Sequence, residues 1–136
     1  ATGPGWLWSG TDGNGALGCA TIDADGQDHD IVTQPYGVQP FQVFPITLDV
    51  KCVGAVSASS SAPAVVLAAQ FYDEAQNPTS AYEIAVLAGP AGLVPWGKLA
   101  GNIMTPADST KVALRAHVDH TMTGGQVRID NASMAL

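Results

Sequence analysis

The sequence predicts an all-β fold, a two-sheet antiparallel β-sandwich, on three observations. Apolar and polar residues alternate with period two in repeated runs, turn residues separate those runs, and no stretch carries apolar residues at the i, i+3, i+4, i+7 spacing of an amphipathic helix. The 15 glycines and 9 prolines also interrupt the chain too often for a long helix. At 136 residues the chain is one domain, residues 1–136, with enough length to bury a core between two sheets.

The elements follow in order. Residues 16–22 and 30–36 read as strands joined through the acidic run 23–30, in which Asp25-Gly26 is a good hairpin turn pair. The clearest strand is 44–53. There Phe44, Ile46, Leu48, Val50 and Cys52 fall on one face and Thr47, Asp49 and Lys51 on the other, so one side packs and the other is solvated. The serine-rich tract 57–63 is a loop. Residues 64–72 are apolar almost throughout, as in a central strand covered on both faces, and polar 73–78 turns the chain. Further strands are expected at 80–87 and 98–104. A second alternating run sets Val112, Leu114, Ala116 and Val118 against Arg115, His117 and Asp119. Residues 126–136 close the fold, for roughly eight or nine strands in all.

Composition removes several function classes. Five Lys and Arg face twelve Asp and Glu, a net charge of −7, and that field repels the phosphate backbone of nucleic acid. No apolar run reaches the roughly 18–20 residues that span a bilayer, and the N-terminus lacks a basic-then-apolar leader, so a soluble chain with no membrane partner is expected. The two cysteines, Cys19 and Cys52, fall on separate strands. Their spacing permits a disulfide, and with it an oxidising compartment, and equally permits two buried thiols. No Cys-x-x-Cys is present, which removes thiolate zinc sites.

Catalysis finds little support, and the chain is expected not to be an enzyme. The run Asp23-Ala24-Asp25-Gly26-Gln27-Asp28-His29-Asp30 lacks the EF-hand carboxylate near Gln34. His117 and His120 have neither the i, i+4 helical spacing of zincins nor the i, i+2 placement that puts two ligands on one strand face. There is no Gly-x-Ser-x-Gly elbow and no P-loop. A glycosidase needs two facing carboxylates, and the sequence alone leaves pairs such as Asp49 with Glu83 or Asp119 open.

The last forty or so residues run through Trp96-Gly97-Lys98-Leu99-Ala100-Gly101-Asn102-Ile103-Met104, the turn Thr105-Pro106-Ala107, the alternating strand, the turn Gly124-Gly125 and a closing strand with Asp130-Asn131. This pattern, with a central strand ending Phe71-Tyr72-Asp73, resembles the jelly-roll (galactose-binding-like) carbohydrate-binding modules of polysaccharide-degrading enzymes and of bacteriophage tail and capsid accessory proteins. The resemblance covers residues from about 30 onward. It implies a jelly roll that binds without catalysing and is secreted or carried on a virion. It also implies a structural calcium, held by a carboxylate of the final strand, here Asp130, although the Asn-x-x-Phe-Glu opening of many such modules is replaced by Gly3-Pro4-Gly5-Trp6-Leu7-Trp8.

Sugar rings stack their C–H faces on exposed aromatics and take hydrogen bonds from polar groups beside them. Trp6 and Trp8 share one face of an extended segment, Tyr36 and Tyr82 lie near strand ends, Tyr72 closes a central strand, and Trp96 sits in a loop before a hairpin. Outward strand faces supply Gln70, Arg115 and His117. The expected carbohydrate-binding residues are therefore Trp96, Tyr72, Gln70, Arg115, His117 and Tyr82, with Asp130 as metal ligand. The competing expectation packs Trp96 at the sandwich edge and has Trp6 and Trp8 seal its end. Two functions remain: a module binding a polysaccharide or cell-surface glycan, or a virion structural protein of the same fold that binds capsid or tail protein and self-associates.

Overall fold

The computed structural model describes residues 5–15 and 18–136, and every regular element among them is a β-strand. The strands are β1 (Leu7–Ser9), β2 (Cys19–Asp23), β3 (His29–Val32), β4 (Tyr36–Gly37), β5 (Val43–Ser57), β6 (Pro63–Tyr72), β7 (Pro78–Ala88), β8 (Gly92–Met104), β9 (Lys111–Val118) and β10 (Met122–Met134). They form two antiparallel five-stranded sheets. The first has the order β1-β2-β10-β5-β8, and the second runs β3-β9-β6-β7 with β4 also on β9. The expected sandwich is thus the observed one, with ten described strands where eight or nine were expected.

Alternation builds the core. On β5, Phe44, Ile46, Leu48, Val50 and Cys52 point inward, and on β6 and β9 so do Val65, Leu67, Ala69, Phe71, Val112, Leu114, Ala116 and Val118. Burial of these side chains from both sheets is the main stabilising contribution. The inward residues of β10, Val127 and Ile129, continue the same layer.

Several local expectations change. The 23–30 run is not a hairpin: β2 pairs with β1 and β10, whereas β3 pairs with β9, so the chain crosses between sheets. Gly26, at φ 77°, still turns the chain there, and its amide donates to the Met122 carbonyl. Gly124-Gly125 is not a turn. It lies inside β10 as a bulge against β5, where Gly125 has φ 88° and an added Cβ would sit 2.5 Å from the Gly54 carbonyl oxygen. Trp96 is not in a loop but within β8. The expected strand 16–22 begins at Cys19, and residues 16 and 17 fall outside the described set. Trp6 and Trp8 separate: Trp6 is 5% exposed and belongs to the core, and Trp8 is 73% exposed.

The cysteines are apart. Val127 of β10 pairs with both Ile22 and Cys52, and Ile129 pairs with Ala20. Cys19 therefore sits on the opposite face of the sheet from Cys52, with β10 between them. Two strand spacings of about 4.8 Å each already exceed the reach of a disulfide. Both thiols are free and buried. Burial pushes Cys52 up to about 11 and, joined by the Asp12 charge, raises Cys19. A thiol-reactive reagent is expected to count both cysteines in denaturant under non-reducing conditions and to label neither rapidly in the native protein. One missing thiol in denaturant would contradict this register.

Candidate functional site

Two outer faces are available. On the first sheet, Asp12 and Asn14 reach outward side chains of β5, β8 and β10. Asp12 accepts from Arg128 Nη1 and from Lys51 Nζ at 3.1 Å, and the Trp96 indole donates to its Oδ1 at 3.4 Å. Arg128 first, then Lys51, hold the Asp12 carboxyl well below the ordinary carboxylate range. A carboxyl lowered on folding stabilises above its unfolded value of 3.8 and loses that contribution as pH falls toward its folded value. The stability difference between the native chain and Asp12→Asn is therefore expected to be full at about pH 6 and to shrink as urea-unfolding measurements move below about pH 4. A difference that grows on acidification would refute the pairing.

The surroundings of Asp130 lie on this same face. Its Oδ2 accepts from the Asn14 amide at 2.9 Å and its Oδ1 from the Asn131 amide at 2.8 Å. Its cross-strand neighbour Asp49 accepts from Asn14 Nδ2 and Asn131 Nδ2, and Lys98 Nζ is 3.0 Å from its other oxygen. Calcium requires a cage of oxygen ligands. Here the groups aimed at both carboxylates are donors, one of them an ammonium, so the set as arranged does not fit calcium.

The second sheet carries the more open face. On β6, Val66, Ala68 and Gln70 point outward, as do Arg115 and His117 on β9 and Asp119 just past its end. Register aligns Asp30 with His117 and His117 with Val66, and in the next row Arg115, Ala68 and Glu83. Because the middle strand contributes small side chains while its neighbours carry long ones, the face is grooved. The groove holds about 520 Å³, floored by Val66, Ala68 and Ala81 and walled by Arg115, His117 and Asp119 on one side and Glu83 on the other.

The polar wall is held rigidly. Arg115 donates through Nε and Nη2 to the two oxygens of Asp30 at 2.9 and 3.0 Å, a bidentate pair that leaves its other N–H groups for a ligand. His117 Nδ1 lies 2.7 Å from Asp30 Oδ1 and its Nε2 3.0 Å from Asp119 Oδ1. Burial pushes His117 down, but hydrogen bonds with Asp119 and Asp30 outweigh it and the net shift is upward. Burial likewise opposes ionisation of Asp30, and Arg115 and His117 overcome it, leaving its carboxyl lowered.

Of the expected binding residues, Arg115 and His117 converge on the groove, whereas Tyr82 borders it but pairs with inward Ala69, so its ring lies on the sheet's inner face. Tyr82 is 44% exposed and meets Phe71 edge-on with ring centroids 6.0 Å apart. Gln70 lies in the next row, its amide spent on the carbonyls of Phe71 and Ser80. Tyr72 is at the end of β6 against Lys111. Trp96 is on the other sheet and shares nothing with this group. Asp49 is separated in the same way from Glu83 and Asp119, so the carboxylate pairs left open by the sequence do not face each other. Asp28, Asp30, Asp119 and the small floor residues were missed as site components. Only the shared parity of Arg115, His117 and Asp119 pointed to part of this wall.

No protein-family model matches the chain, and no curated protein does. Solved structures do. The family 16 carbohydrate binding module-2 superposes with a TM-score of 0.66 at 11% identity, over 97% of this chain and 86% of that one. The CBM22-1 and GH10 modules of Clostridium thermocellum xylanase 10B, complexed with xylohexaose, give 0.67 at 14% identity, over 96% of this chain and 26% of that one. The enzymatically active domain of bacteriophage CBA120 tailspike protein 4 gives 0.61 at 16%, over 96% and 19%. The chain has the jelly-roll fold of carbohydrate-binding modules.

Proposed function

We propose that this chain is a non-catalytic carbohydrate-binding module that holds a polysaccharide or cell-surface glycan in the groove of the second sheet, outside the cell or on a virion. The observation that carries this is the groove itself: an apolar floor for sugar C–H faces, with Arg115 and Glu83 on opposite walls for hydroxyls. Asp28, Asp30, Glu83 and Asp119 outnumber Arg115 there, so a neutral glycan suits the field better than an acidic one. The xylohexaose complex of the structurally similar xylanase modules makes xylan the first polymer to try.

A second function, as a virion structural protein contacting other proteins, is favoured by one observation. Val43 and Met104 pair at the strand ends beside Phe41, and all three are more than half exposed. The test for both is retention on insoluble polysaccharides and a glycan array, with light scattering on the same sample. Saturable binding of a monomer to one neutral glycan class supports the module. Silence from folded, self-associating protein transfers the function to virion assembly. Glycan binding that a chelator abolishes and calcium alone restores would return a calcium ion to Asp130.

A further inference from the structure

At the rim of the groove, where the crossover between β2 and β3 meets the end of β9, three side chains from two distant segments converge. His117 Nε2 is 3.0 Å from Asp119 Oδ1 and 3.6 Å from Asp28 Oδ1, and one ligand atom from each residue lies within 4.8 Å of the others. His120 flanks them, its Nδ1 3.0 Å from Asp28 Oδ1 and 3.5 Å from Asp119 Oδ2, while its backbone amide donates to Asp28 Oδ1. We propose that Asp28, His117 and Asp119 form a divalent transition-metal site, with His120 or water completing the coordination.

Both ring nitrogens of His117 face carboxylate oxygens, Nδ1 toward Asp30 at 2.7 Å and Nε2 toward Asp119. A neutral imidazole has only one N–H. Whichever tautomer forms, a lone pair abuts a carboxylate unless a positive centre lies between them, and only a proton or a metal ion can be that centre. The spacing suits a metal. Ligands about 2.0–2.1 Å from a tetrahedral ion stand about 3.3 Å from each other, and the separations of His117 from Asp119 and Asp28 are 3.0 and 3.6 Å.

The support behind the ring is also that of a metal site. Asp30 takes the far nitrogen and is itself fixed by the Arg115 fork, which sets the tautomer and aims Nε2 at the two carboxylates. An imidazole in the set favours zinc and its neighbours over calcium or magnesium, whose ligands are oxygens. The site does not depend on the glycan reading, since it is complete without a sugar. His117 and Asp119 also line the groove, so an ion here would sit at its wall.

The test is a calorimetric titration of chelator-stripped protein with zinc chloride, with no sugar present, followed by thermal unfolding. One saturable site per chain and a zinc-dependent rise in Tm are expected. His117→Ala should abolish binding, and Asp28→Asn, at an exposed position, should weaken it at least about tenfold while the fold is kept. His29→Ala, whose ring pairs with Asp25 instead, should bind zinc as the native chain does. The 15N resonance of His117 Nε2 should shift to a coordinated value. Absence of saturable binding, zinc binding that survives both site variants, or a His117 ring that stays a doubly protonated imidazolium in excess zinc would overturn the proposal.

Discussion

Replacing Phe71 by alanine is expected to lower stability by about 3–5 kcal/mol and Tm by roughly 10–20 °C. Phe71 is fully buried near the end of β6, the strand paired with both β7 and β9, so its ring packs on the second sheet's inner face with strands on either side. Truncation removes the transferred apolar area and leaves a cavity that two hydrogen-bonded neighbours prevent from collapsing. It also removes the edge-on partner of Tyr82, a contact worth about 0.5–1.5 kcal/mol. Against a total of about 5–15 kcal/mol for a typical domain, the loss is a large fraction. Urea unfolding measures it, and Tyr82→Ala, removing only the half-exposed ring, should cost less than half as much. A Phe71→Ala loss under about 1 kcal/mol would mean that the ring is not packed between the sheets.

The same residue marks what was legible in the sequence. β6 was located by its continuous apolar run, and period-two alternation located β5 and β9, because a strand with one buried face writes its burial into every second residue. It also put Arg115, His117 and Asp119 on one face. Sheet membership was not legible. Asp25-Gly26 has the local chemistry of a hairpin turn, and that chemistry is the same whether the next strand returns beside the last or crosses to the other sheet. The Gly124-Gly125 pair misled similarly, since a bulge and a turn both need a residue free to adopt positive φ. Asp30 escaped notice as part of the site because its partners lie 85 and 87 residues away, a pairing that only the register of β3 on β9 creates.

Trp96 was expected either to bind sugar or to pack at the sandwich edge, and its position on the other sheet leads to the second large expected effect. Arg115→Ala should weaken glycan binding by about 10–100-fold, the equivalent of roughly 1.5–3 kcal/mol for hydrogen bonds to a charged donor. Trp96→Ala should leave it within about twofold, losing instead the indole contact with Asp12 and with it some stability. Arg115→Ala also frees Asp30 and His117, so Glu83→Ala on the opposite wall is the companion variant. It should weaken binding as well, without touching the Arg115 network. Circular dichroism separates folded from unfolded variants, and affinity electrophoresis or calorimetry on the retained glycan reads the effect. If Trp96→Ala abolished binding while Arg115→Ala and Glu83→Ala did not, the ligand would lie on the first sheet. The groove would then be only a consequence of small residues in β6.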